Sequence, residues 1–209
     1  MRVAVIGGTG PFGMALAARL RTAGHQVVLG SRDAGRAESK AAELAVEGAE
    51  NSEAARSADL VVLATKAEAA VGTAEDLRGA IGATPVLSVA SELLFTAGGV
   101  LPSGDTLSVA ERVQAVVDAP VVAGLHSLAA STLRAGGLPG EDALVCGDDT
   151  AAKEKALELA AGLTTGRAID AGPLASARTL EGMTAVLVNV NRRYKVHAGI
   201  TLTGLDRAR

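Results

Sequence analysis

The chain has 209 residues and a formal net charge of −3, long enough for one main domain with a buried core and without the basic footprint that nucleic acid or a membrane surface would call for. Apolar residues make up 48% and aromatics only 1%, so the core is aliphatic and a platform of rings for stacking bases is not expected. The single cysteine, Cys146, excludes an intrachain disulfide and argues against a thiolate metal site; no metal is expected.

The elements follow in chain order. Arg2 to Ile6 is strand-like, and it starts without the pattern of a leader. No apolar run reaches the ~18 residues of a membrane span, so the expectation is a cytoplasmic protein with no membrane or nucleic-acid partner. Pro11 to Ala23 reads as a helix, with Pro11 in its first turn, where a missing N–H costs nothing, and Gly24 just past its end. Gln26 to Leu29 is a second strand, Ala34 to Val46 a second helix, and a short strand is expected near Ala49. Asp59 to Ala64 has the near-continuous apolar character of a buried parallel strand. Ala67 to Ile81 is helical, and Pro85 to Val89 is another strand. This alternation predicts a doubly wound, parallel α/β sheet.

The second half is less regular. Ser91 to Gly104, with its glycines and Pro102, reads as a long loop. Leu107 to Val117 is helical, Pro120 to Leu125 a strand, Leu144 to Cys146 a short strand. Asp148 and Asp149 read as caps of a helix over Ala151 to Ala161 rather than as Mg²⁺ ligands. Arg167 to Asp170 is the last strand-like piece. After the break at Ala171-Gly172-Pro173, Leu174 to Tyr194 reads as one long helix. A boundary near Gly172 therefore predicts two units, 1–172 and a small, mainly helical C-terminal unit over 173–209.

Gly8-Thr9-Gly10-Pro11-Phe12-Gly13 is a G-x-G-x-x-G that leaves the first strand and opens the first helix. That context makes it a Rossmann-type dinucleotide cradle rather than a bare turn. Gly8 is expected to turn the chain, Gly10 to let backbone approach a pyrophosphate, and Gly13 to let helix and strand pack closely. Thr9 can reach a phosphate or the nicotinamide, and Phe12 suits packing. The helix N-terminus faces the anion. The second strand ends in Ser31 and Arg32, with Arg36 one turn later, where an NAD enzyme places a carboxylate. A hydroxyl and guanidinium forks suit a 2′-phosphate, so NADP is read over NAD.

With these residues in view, the chain resembles the family of NADPH-dependent coenzyme F420 reductases (F420:NADP oxidoreductases). The likeness runs through Val5 to Gly10, Gly30-Ser31-Arg32, Leu125 to Ala130, Val145 to Asp149, Asp170 to Leu174, Asn191 to Lys195 and His197 to Ile200. The resemblance implies hydride transfer between NADP(H) and the deazaflavin of coenzyme F420, in a homodimer. It implies that Thr9, Ser31, Arg32 and Arg36 hold NADP, and that His126, Ser127 and Leu128 line the wall where the two rings meet. Thr65 and Lys66 stand where that family often has an apolar residue and a proline near the nicotinamide; they are counted with the cofactor-binding residues.

Hydride transfer between planar rings needs positioning and exclusion of water more than acid–base groups, so the lack of an evident dyad fits. His126 is the candidate acid, with pocket lining or a structural hydrogen bond as the alternatives. Cys146 reads as inert core. Arg178 can meet the anionic F420 tail or make a surface ion pair. Arg192, Arg193 and Lys195 can attract a phosphate or cap a helix end, and the cap is favoured. Lys66 and the segment Ser91 to Gly104 motivate a second reading, an NADPH-dependent reductase of an imine or carbonyl. A non-catalytic NADP-sensing module is a third.

Overall fold

The computed structural model describes residues 1–205; positions 206–209 of the expected C-terminal unit lie outside the described residues. The first half alternates as the sequence predicts, with one further short helix between the third and fourth strands: β1 (Arg2–Ile6), α1 (Pro11–Thr22), β2 (Gln26–Ser31), α2 (Ala34–Leu44), β3 (Glu47–Glu50), α3 (Asn51–Arg56) and β4 (Leu60–Leu63). The next helix is broken at Leu77 into α4 (Ala67–Asp76) and α5 (Arg78–Ile81), and β5 (Val86–Ser88) follows. β6 (Leu93–Thr96) and β7 (Gly99–Pro102) come next, then α6 (Val109–Gln114), β8 (Val121–Gly124), α7 (Ala130–Arg134), β9 (Ala143–Gly147), α8 (Thr150–Ala161) and β10 (Ala168–Asp170). A 3-10 turn at Leu174–Ser176 leads into α9 (Ala177–Tyr194).

One sheet has the order β10-β9-β8-β5-β4-β1-β2-β3. The run from β3 to β8 is parallel, with the chain order reversing between β1 and β4. This is the arrangement of a dinucleotide-binding Rossmann sheet, whose ligand crevice lies at that reversal, beyond the carboxyl ends of the strands. The sheet is not wholly parallel. β9 runs antiparallel to β8, and β10 follows β9 in parallel. An antiparallel neighbour needs no covering crossover, so the short α7 and a loop suffice to join β8 to β9.

Side chains alternate between two apolar layers. Ala4, Ile6, Val61 and Leu63 face one, under α3, α4, α6 and the start of α9. Val3, Val5, Leu60 and Val62 face the other, under α1, α7 and α8. The contacts of α3 and α4 are alanines (Ala54, Ala55, Ala70, Ala74); small side chains let these helices lie close to a sheet with almost no aromatic filler.

The stretch expected to be a loop holds a hairpin. β6 and β7 pair antiparallel, from Leu93 opposite Pro102 to Thr96 opposite Gly99. Gly99 takes φ +135°, outside the range of ordinary side chains. Asn189 of α9 fastens the hairpin like a further strand: Val100 N donates to its Oδ1 at 2.8 Å and its Nδ2 donates to Val100 O at 2.7 Å. Glu181, also on α9, is 3% exposed and accepts from the amides of Val109 and Ala110 at the start of α6, at 3.1 and 3.2 Å.

Candidate active site

The chain leaves β1 through Gly7, which takes φ +70°. Gly7, not Gly8, makes the sharp turn, and any side chain there would strike Thr65. Gly8 is needed for packing: a Cβ would come within 2.6 Å of Val5 O and of the Leu29 side chain. Gly13 lies directly over Gly8, a Cβ there falling 2.5 Å from Gly8 Cα. Gly10 differs, for a Cβ on it would meet only Gly7 O at 3.9 Å. The space beside Gly10 is open, as a cradle for a bound anion requires. Gly10 caps α1 without a side-chain hydrogen bond and Pro11 follows, so the helix start offers its own amides and partial positive charge to the cleft.

That cleft, of about 310 Å³, brings together Gly7, Thr9, Gly10, Ser31, Arg32, Arg36, Thr65 and Lys66, with Asn51 and Thr73. Pro11, Phe12, Gly8 and Gly13 shape the loop without facing it; Phe12 packs on the apolar layer beneath α1. Arg32 and Arg36 are exposed and make no ion pair among the described residues. Asp33, which sits between them, is turned to capping α2, accepting from Arg36 N at 3.0 Å. Two uncompensated guanidiniums beside a serine hydroxyl form a seat for a doubly charged group. Asn51 Oδ1 and Thr65 Oγ1 are buried with no hydrogen-bond partner, so acceptors stand ready in the same cleft. The guanidiniums, the Ser31 hydroxyl and the open helix start fit the phosphates of a dinucleotide, and the unpaired oxygens suit a donor elsewhere on it.

A second cleft, of about 560 Å³, adjoins the first at Lys66 and is lined by Ser91, Glu92, Leu93, Leu94, Phe95 and Ser103 among others. The hairpin thus builds its wall. Arg112 ties that wall together, bonding Glu92 at 2.8 Å and Asp105 at 3.1 Å. Arg178 does the same from α9, donating to the carbonyls of Ser103 and Asp105; its guanidinium is a brace rather than half of a surface ion pair.

His126, Ser127 and Leu128 face neither cleft directly. Leu128 is 4% exposed and packs in the apolar layer. Ser127 donates to Asp142 O at 3.1 Å. They follow Leu125, which takes φ +66°, a strained conformation for a branched side chain. His126 lies one hydrogen bond behind the second cleft. Thr184 Oγ1 donates to His126 O at 3.1 Å, and Ser91 Oγ stands 2.9 Å from Thr184 Oγ1 and 3.1 Å from His126 Nδ1. Thr184 has spent its proton, so Ser91 must donate to it and accept from His126 Nδ1–H. The closed chain fixes the Nδ1–H tautomer and leaves Nε2 a bare acceptor, buried and without a partner. Burial pushes the imidazole down to about 4. It is neutral near pH 7 and has no ready acid proton, so the acid role considered for it gives way to positioning.

Cys146 is fully buried, and burial pushes its thiol up to about 12, inert as expected. Asp149 caps α8 through Ala152 N at 2.8 Å, and Asp148 accepts from Leu174 N at 2.9 Å. No cluster of metal-ligating side chains occurs among the described residues. Sequence reasoning missed Gly7, Asn51 and Thr73. Gly7 was readable as a fourth glycine of the loop, whereas Asn51 and Thr73 lie on other elements and carry no local signal.

Residues 2–92 match the family model described as NADP oxidoreductase, coenzyme F420-dependent. The chain is 37% identical to an F420-dependent NADP reductase of Methanothermobacter thermautotrophicus, over 98% of this chain and 96% of the relative. It is 32% identical to that of Methanocaldococcus jannaschii, over 99% of this chain and 100% of the relative. A solved structure from Arthrobacter sp. FB24, described as a candidate F420-dependent NADP reductase, superposes with a TM-score of 0.85 at 25% identity, covering 98% of this chain and 100% of the other. Likeness of this extent, over a chain that carries the glycine loop and the two-cleft arrangement, leaves one conclusion: the chain belongs to the family of F420-dependent NADP reductases.

Proposed function

We propose that the chain is a working oxidoreductase that carries hydride between NADP(H) and coenzyme F420, with the first cleft holding NADP(H) and the second receiving the deazaflavin. The observation that carries the reading is the junction of the clefts at Lys66, where a nicotinamide and a second ring can meet. When bound, NADP(H) and coenzyme F420 would supply the redox chemistry, a hydride passing between them with a proton from solvent or a hydroxyl. Around them the chain binds and orients. The start of α1, Thr9 and Gly10 hold the pyrophosphate, and Ser31, Arg32 and Arg36 hold the 2′-phosphate. The His126–Ser91–Thr184 chain stiffens the wall behind the second cleft, and Arg178 and Arg112 fix its rim. Arg192, Arg193 and Lys195 end α9 as its basic cap.

Residues 1–172 form the nucleotide-binding unit in this reading, and the segment from 173 onward braces the second cleft and supports a homodimer. No helix among the described residues is long and apolar enough to cross a membrane, and we place the protein in the cytoplasm. The test is isotopic. NADPH deuterated at the transferring position of the nicotinamide should deliver its deuterium to the reduced deazaflavin, seen by NMR. Reduced F420 without the label would contradict direct transfer.

A further inference from the structure

Asn51 opens α3 where β2 and β3 end side by side, Ser31 pairing with Glu50. Asparagine at a helix start ordinarily caps the first amides. Here Glu50 does so, its carboxylate accepting from Ser52 N at 2.9 Å and from Ser52 Oγ at 2.5 Å. The Asn51 side chain is released from that role. It is only 4% exposed, yet it lines the first cleft with Ser31, Arg32 and Arg36. Its Oδ1 is buried and has no hydrogen-bond partner. The amide occupies the space that a side chain on residue 30 would take, since a Cβ on Gly30 would fall 2.8 Å from Oδ1. An unpaired buried carbonyl of this kind is costly, and folded chains leave few of them.

A carbonyl oxygen only accepts, so its partner must bring an O–H or N–H. Phosphate oxygens bring neither, and the cleft already sets two arginines against them. Once the 2′ position is phosphorylated, the adenosine ribose of NADP(H) keeps one free hydroxyl, the 3′-OH. We infer that Asn51 Oδ1 accepts a hydrogen bond from that 3′-hydroxyl and so anchors the adenosine half of the cofactor; the inference rests on the NADP(H) reading of the first cleft. Its role is distinct from that of the arginines. NADH carries the same hydroxyl, so Asn51 supports both cofactors, whereas Arg32 and Arg36 separate them. A site built around one hydroxyl discriminates strongly against a ligand that lacks it.

The experiment is a two-by-two calorimetric titration of wild type and Asn51→Ala with 2′,5′-ADP and its 3′-deoxy analogue. Wild type should bind the deoxy analogue ~10-fold more weakly, and Asn51→Ala should bind both ligands alike, near the weaker level. Equal binding of the two ligands by wild type, or discrimination retained in the variant, overturns the inference. The wild-type comparison decides alone if the variant does not fold. Indifference to the 3′-hydroxyl combined with an Asn51-dependent loss for the hypoxanthine counterpart of 2′,5′-ADP also overturns it, in favour of the adenine amino group. Failure of wild type to bind 2′,5′-ADP at all would instead bring down the NADP(H) reading beneath it.

Discussion

Arg32 and Arg36 show how far single residues carry the account. Both stand exposed beside Ser31 with Asp33 engaged as a helix cap, so the positive charge is uncompensated until a ligand brings a phosphate. Replacing Arg32 with Ala should weaken NADPH by ~10–100-fold and NADH by less than ~3-fold, in line with the loss of a charge-assisted pair. Fluorescence titration reads both, and equal losses would contradict the 2′-phosphate assignment. Cys146 makes the opposite kind of claim. With no exposure and its thiol pushed up to about 12, it should resist a thiol reagent at pH 8 until the chain is unfolded in denaturant. Reaction in the native state at the unfolded rate would show an open core. At this scale the place of Arg32 in the first cleft was legible because it directly follows Ser31 at the end of the second strand. The buried imidazole of His126 was not, because its neutrality comes from burial and its tautomer from Ser91 and Thr184, distant in the chain.

Among the elements, the segment 197–202 is the clearest case of structure that local pattern could not announce. It crosses the start of β9: Asp142 N donates to Ile200 O at 2.7 Å and Leu202 N donates to Asp142 Oδ2 at 2.7 Å. Gly199 lies against the Glu141 carboxyl so closely that any side chain would collide with it. The two adjacent acids are driven apart. Arg167 holds Asp142 far below the usual carboxylate range, whereas burial pushes Glu141 up to about 7 from an ordinary 4.5. For Glu141, the folded chain keeps a proton that the unfolded chain has lost. Its stabilisation is full below about 4.5 and is lost as pH rises to about 7. Asp142 has the reverse sign, stabilising the fold at neutral pH and failing as acid protonates it. Glu141→Gln should therefore gain on wild type from pH 5 to pH 7.5, by on the order of 2 kcal/mol in urea denaturation, with no further change above. Parallel stability curves would contradict the burial argument. The β6–β7 hairpin was hidden for a different reason. Gly98 and Gly99 serve its turn, but Gly and Pro also mark loops, and what makes it a hairpin is Asn189 on a helix far along the chain.

For the whole molecule, the alternation of short apolar strands with alanine-rich helices determines the doubly wound sheet, and the glycine loop locates its crevice. The reversed direction of β9 was not legible, since a strand's own residues do not state which way its neighbour runs. An apolar surface stands exposed at the hairpin and α9. Leu94, Phe95 and Leu101 on the hairpin and Val186 on α9 are 50%, 68%, 52% and 60% exposed, and Leu94 and Phe95 line the second cleft. If the proposed homodimer forms through this surface, Val186→Glu should shift sedimentation from dimer to monomer; an unchanged dimer would place assembly elsewhere, and a monomeric wild type would contradict the homodimer. The central claim concerns chemistry, and the most direct measurement is optical. Purified protein is mixed with oxidised coenzyme F420 and either NADPH or NADH, and the visible deazaflavin band is followed. Rapid bleaching is expected with NADPH and little with NADH. An unbleached band in the presence of tightly bound NADPH would contradict that claim.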